Sequence, residues 1–181
     1  MRRSNGWLGL LGFASAVAGA ACIGARYSPR DPQTGLWCAR LRKPPFHPPD
    51  AVFPVVWTAL YTLIAISGWR VWRRPDSPER TAALRLWVAQ LLCNAEWTWL
   101  FFARRLPAWS LADIVSLELA VIGYILEARK VDKTAAALFV PYAAWVVFAA
   151  LLNEEIVRRN PGAAGLLPQA GHSADGQGRS G

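Results

Sequence analysis

The stretch KPPFHPPDAVFPVVWTALY, residues 43–61, sets five prolines and a lone histidine within residues 43–54, then runs without pause into an apolar segment carrying Trp57 and Tyr61. Proline fixes φ and restricts the residue before it, so the proline-locked piece is stiff. The segment that follows, 51–69, is apolar apart from its hydroxyls. A bilayer core about 30 Å thick takes roughly 20 such residues per helix. If 51–69 is a membrane span, the rest of the chain has to supply partners in the same solvent.

It does. Of 181 residues, 54% are hydrophobic and 10 are Trp, which is high for a soluble globule of this size. Apolar runs recur at 7–25, 86–103, 107–126 and 134–153. The predicted fold class is therefore all-α, an integral membrane bundle of five transmembrane helices. The spans are about 7–25, 51–73, 81–103, 107–127 and 134–156, within one domain covering 1–160. Residues 26–50 read as a long basic loop, 70–85, 103–105 and 127–133 as charged connectors, and 161–181 as a disordered tail rich in Gly, Ala and Ser.

The net charge of +8 sits in clusters beside the apolar runs, where anionic headgroups lie, so lipid and not nucleic acid is the expected partner. The 20 basic residues divide evenly between the two ends of the predicted bundle, so the positive-inside rule sets no orientation. The first run admits a second reading as a cleaved signal peptide, with Arg2 and Arg3 before it and AGA at 18–20. Against that, the run is long, and Gly12, Ala16, Gly19 and Gly24 recur at a spacing that suits close helix packing. Cys22, Cys38 and Cys93 are scattered and indicate neither a disulfide framework nor a metal site.

Helical spacing assigns faces. Phe53, Trp57, Tyr61 and Gly68 align on the second span; Gln90, Asn94, Trp97 and Phe101 on the third; Trp109, Asp113, Ser116 and Ala120 on the fourth; Tyr142, Trp145, Ala149 and Leu152 on the fifth. Trp7, Trp37, Trp69, Trp72 and Trp87, near span ends, read as interfacial belts. Asn94, Glu96, Asp113 and Glu118 are costly in hydrocarbon and are expected to face other helices or a wet cavity. Trp rings with a few uncharged hydrogen-bonding groups describe a pocket for a large, flat, mostly apolar ligand. No Ser-His-Asp, Cys-His or metal-ligand constellation competes with it, and with only His47 and His172 a bis-histidine haem site is not expected.

These residues fall into ordered motifs: GAR-Y (24–27), W-x3-L-x-KPPFHPP (37–49), F-x3-W-T-x-LY (53–61), N-x2-W-x3-FF (94–102), W-x3-D (109–113) and PY-x2-W-x2-FA-x2-LN (141–153). On them the chain resembles the translocator protein family (TspO/MBR, the tryptophan-rich sensory proteins and peripheral benzodiazepine receptors), over about residues 8–160. The resemblance implies a five-helix bundle, usually dimeric, whose first loop folds as a lid over a cavity for porphyrins, sterols and benzodiazepine-type drugs. It carries ligand-lining roles onto Trp57, Asn94, Trp97, Trp109, Trp145, Ala149 and Leu152, with Trp37 in the lid. Tyr61 joins them on its stripe, and Lys43, Pro44, Pro45, His47, Pro48 and Pro49 form the lid strap.

The expected function is tetrapyrrole binding, with protoporphyrin IX or a related ring as ligand, no required cofactor and no metal, by a sensor, scavenger or carrier in an envelope membrane. Enzyme activity is not the primary expectation. The alternatives are light-dependent porphyrin breakdown through Trp57 and Asn94, a sterol- or lipid-type ligand, and a partner-binding regulator. Two departures bear on ligand choice: the lid reads Trp37-Cys38 where the family has Trp-Tyr, and Glu154 and Glu155 stand where animal members carry tyrosines after the final Leu-Asn.

Overall fold

The computed structural model describes residues 6–29 and 31–162, and all regular structure among them is helical. The elements are α1 (Gly6–Arg26), α2 (Pro32–Arg40), α3 (Val52–Trp72), α4 (Pro78–Thr98) continued by a π-helical segment (Trp99–Ala103), α5 (Pro107–Val131) and α6 (Lys133–Arg159). Helices α1, α3, α5 and α6 are long and apolar enough to cross a membrane. Helix α4 carries Glu79, Arg80, Arg85 and Glu96, which dilute its apolar character. The neighbours are α1 with α3, α3 with α6, α6 with α5, α5 with α4 and α4 with α1, so five helices close into a ring. The tail assigned to 161–181 falls almost wholly outside the described residues.

Caps, more than hydropathy, fix the helix ends. Ser77 accepts from the Arg80 N–H (3.1 Å) and Pro78 occupies the first turn, so α4 starts inside the stretch read as a connector. Asp132 accepts from the Ala135 N–H (3.0 Å) to start α6, and it alone separates α6 from α5. The charged connectors 70–85 and 127–133 are thus largely helical. The basic loop 26–50 is likewise interrupted by α2, where Asp31 accepts from both the N–H and the hydroxyl of Thr34 (2.8 and 2.9 Å). Gly35 permits this turn, since a Cβ there would lie 2.8 Å from the Pro29 carbonyl oxygen. At the far end of α4, Arg105 takes a left-handed φ of 55° and breaks the rod before α5 begins at Pro107.

The core corrects several sequence expectations. Trp87 is 3% exposed and no belt residue: its indole N–H donates to the Ile64 carbonyl (3.0 Å), and its ring lies on Gly68 and edge-on to Phe13. Trp37 is equally buried. Trp7 and Trp72 are exposed, and Trp69 donates to the Gly6 carbonyl (2.7 Å). The inward row of α5 is Ser110, Ile114, Leu117, Val121, Tyr124 and Ala128, not Trp109, Asp113, Ser116 and Ala120. The polar residues misled the face assignment, because a helix apolar on all sides gives little contrast between its faces. Glu96 points outward, exposed, while Asp113 and Glu118 are half-buried. On α1, Val17 and Ala20 pack inward; Gly12, Ala16 and Gly19 face out, and only Gly24 approaches a neighbour, Thr98 (3.7 Å).

At the end of the bundle where α5 meets α6, a polar knot joins α3 to both. The buried Asp132 carboxylate receives Arg70 (3.1 Å) and Arg74 (2.6 Å). Burial alone would raise this carboxyl, but hydrogen bonds from Arg74, the Ala135 N–H and Arg70 outweigh it and hold the group at about 2. One turn inward, Ser67 donates to the Ala135 carbonyl and lies 2.7 Å from the Tyr124 hydroxyl.

Candidate ligand site

Halfway toward the opposite end, α3, α4 and α6 place aromatic rings around one amide. Helix α3 contributes Trp57 and Tyr61, whose rings sit 5.0 Å apart, and α6 contributes Tyr142 and Trp145, at 6.3 and 6.5 Å from Trp57. Asn94 of α4 joins the two walls: the Tyr61 hydroxyl donates to Asn94 Oδ1, and Asn94 Nδ2 donates to the Tyr142 hydroxyl, both at 3.2 Å. Asn94 and Tyr142 are buried, while Trp57, Tyr61 and Trp145 are half-buried. Ala149, half-buried, and Leu152, buried, continue the inner face of α6 beyond Trp145. Asn153 beside them ties α6 to the first turn of α5 through Ser110 (3.1 Å).

The lid closes this region from one end. Trp37 of α2 packs edge-on to Phe101 (5.6 Å) in a second apolar cluster with Cys38, Leu41 and Ile156. Trp97 also stacks on Phe101 (5.3 Å, 21°), and on α4 it stands between Asn94 and Phe101, so it lies between the ring site and the lid. Burial pushes the Cys38 thiol up to about 11, so this cysteine packs as a small apolar group.

The strap after α2 is held at both ends. The Arg42 N–H donates to Asn160 Oδ1 (2.9 Å), and Asn160 Nδ2 donates back to the Arg42 carbonyl (3.2 Å), latching the lid to the C-terminus of α6. Lys43 pairs with Asp50 (3.3 Å) across the prolines. Pro44 is buried and accepts from the His47 N–H (3.0 Å), whereas Pro45 and Pro49 are exposed and Pro48 is half-buried. Phe46 faces Phe148 (6.4 Å), and His47 lies on Phe53 (5.4 Å), which meets Trp145 (5.8 Å). A chain of rings therefore runs from the lid to the site. Burial, reinforced by Lys43, holds the His47 imidazole below its usual value, so it is neutral where it packs.

Of the site residues predicted, the structure brings together Trp57, Tyr61, Asn94 and Trp145, with Trp97 and Trp37 in sequence toward the lid. Trp109 stands apart, 68% exposed at the first turn of α5. Sequence reasoning placed Tyr142 on the right stripe but left it out of the site, and it missed the Asn160 latch. An Asn-Pro step after a long helix signals only a helix end.

The TspO/MBR family model matches residues 13–159. The chain is 36% identical over 148 residues to Protein CrtK of Rhodobacter capsulatus, covering 81% of this chain and 89% of that one. It is 35% identical over 154 residues to the tryptophan-rich sensory protein of Cereibacter sphaeroides, covering 85% and 92%, and 31% identical over 159 residues to the translocator protein of Ovis aries, covering 86% and 92%. With its apolar helices crossing the bilayer several times and its motifs in register, this chain belongs to the TspO/MBR family of integral membrane proteins.

Proposed function

We propose that this protein binds tetrapyrroles, protoporphyrin IX or a close relative, in the ring site under the lid, and serves as a sensor, scavenger or carrier in tetrapyrrole metabolism. The observation that carries this reading is the Trp57, Tyr61, Tyr142 and Trp145 cage around the Asn94 amide. Stacking rewards a large flat apolar ring, and a few neutral polar groups orient it without charge. Among the described residues no general acid and base pair is assembled around the rings, so any photochemistry on a bound porphyrin would belong to the chromophore itself.

Within the same proposal, α4 with its π-helical segment is the fifth membrane crossing. Two copies meet in the bilayer, and the host membrane is a bacterial envelope. Support for dimers comes from the outward Gly12, Ala16 and Gly19 face of α1, since small residues let helices approach closely in lipid.

The test is a protoporphyrin IX titration of detergent-purified protein, read by Trp fluorescence quenching. Saturable quenching that weakens in both Trp57→Ala and Asn94→Ala supports the site. Unchanged titrations in the two variants reject it.

A further inference from the structure

Arg105 is the one non-glycine residue with a left-handed backbone among the described residues (φ 55°), at the turn between the π-helical segment and α5. Such a conformation costs strain in a residue with a side chain, and strained positions gather where a site needs a group held in place. The Arg105 side chain is half-buried, its Nε is shut away without an acceptor, and it forms no ion pair or hydrogen bond among the described residues. The other described cations at the lid end are either engaged or turned outward. Lys43 pairs with Asp50, Arg158 and Arg159 with Glu155, and Arg104 lies over the Trp99 ring (5.2 Å), while Arg26, Arg40 and Arg42 are exposed. Arg105 alone is partly enclosed and uncommitted.

Its charge reaches Asp31, which caps α2, and Cys38 within α2, so the guanidinium stands beside the lid helix. Cys38 packs with Trp37 and Phe101, and Trp97, stacked on Phe101, has its indole N–H buried without an acceptor. Two donors without acceptors therefore flank one cluster at the lid end of the ring site. Carboxylates are costly in hydrocarbon, so a flat ring that carries them enters the bundle with its apolar edge deep and its carboxylate edge at the interface. At the opposite end Arg70 and Arg74 are already held by Asp132. We propose that Arg105 binds a carboxylate of the ligand beside the lid, so that a carboxylated tetrapyrrole is held with its acidic edge toward α2. The proposal rests on the tetrapyrrole reading above. A planar guanidinium fork matches the two oxygens of a carboxylate, and a neutral ring of the same size would leave it unused.

The experiment compares protoporphyrin IX with its dimethyl ester, which keeps the ring and removes both charges, by Trp quenching on the full chain. Wild type is expected to prefer the acid by about tenfold, the worth of one charge-assisted hydrogen bond. Arg105→Gly should bring that ratio close to one by weakening the acid and leaving the ester unchanged. It should also melt no lower than wild type, because glycine adopts the left-handed turn without strain. Arg105→Lys, which keeps the charge and loses the fork, should restore part of the preference.

Equal wild-type affinity for acid and ester, or a preference for the acid that survives Arg105→Gly, overturns the role of Arg105 while tetrapyrrole binding stands. Parallel losses for acid and ester in Arg105→Gly also overturn it, since they make Arg105 a brace for the lid and not a ligand contact. No saturable quenching by either porphyrin removes the tetrapyrrole reading itself, and this assignment with it.

Discussion

Two of the polar clusters in the interior of this bundle, the ones around Asp132 and around Asn94, differ in how completely they are satisfied. In the knot around Asp132, the carboxylate, Ser67 and Tyr124 all have protein partners, and the atom left over is Nε of Arg70, whose side chain is about one-third exposed. Around Asn94, the amide and two tyrosines are paired, but the Gln90 oxygen and the Trp97 nitrogen are not. A closed network rigidifies the structure, whereas an open one leaves hydrogen-bonding capacity for something else. The contrast assigns architecture to the first cluster and recognition to the second.

The most severe way to break that contrast is Asp132→Ala. It removes the carboxylate from two partly exposed guanidinium groups and uncaps α6, so it should cost about 2–3 kcal/mol in thermal unfolding, while the protein that remains folded binds porphyrin as before. A large affinity loss with unchanged melting would reverse the two roles. Trp57→Ala should do the opposite: a binding loss of about 2 kcal/mol in the titration, as for a stacking anchor, with the Asp132 region undisturbed.

Smaller effects sharpen the lid's part. Asn160→Ala removes both latch hydrogen bonds, worth about 1 kcal/mol, and should speed ligand exchange in stopped-flow quenching more than it changes equilibrium affinity. The smallest concerns pH. His47 is depressed below 6.5 when the lid is docked, so its contribution to docking is complete above that value and declines as pH falls through the lower docked one. His47→Phe should flatten this dependence in exchange rates measured between pH 7 and 5. The Asp132 contribution lies elsewhere on the scale, present above 3.8 and lost as pH falls toward about 2, so lid and knot titrate in separate windows.

Much of the architecture was legible in the sequence because bilayer thickness sets helix length directly. The apolar stretches read at 7–25, 107–126 and 134–153 fall inside observed helices, and 51–69 overhangs α3 only by Ala51, its N-cap. What hydropathy could not show was where helices begin, since Ser77 and Asp132 cap them inside charged stretches. The ring site was legible in part: Trp57, Tyr61, Asn94 and Trp145 converge because a polar or aromatic stripe at helical spacing stands out on α3, α4 and α6. The same logic failed on α5, where polar residues lie off the inward row. Hydrogen-bond partners more than a hundred residues apart, such as Arg42 and Asn160, leave no periodic trace at all.

Hydrogen exchange in lipid nanodiscs, with and without protoporphyrin IX, tests the central claim most directly. The account predicts added protection at residues 37–61, 90–101 and 142–152, with none at 67–74 or 124–135. Protection gathered around Asp132, or spread evenly over the basic ends of the bundle, would contradict it.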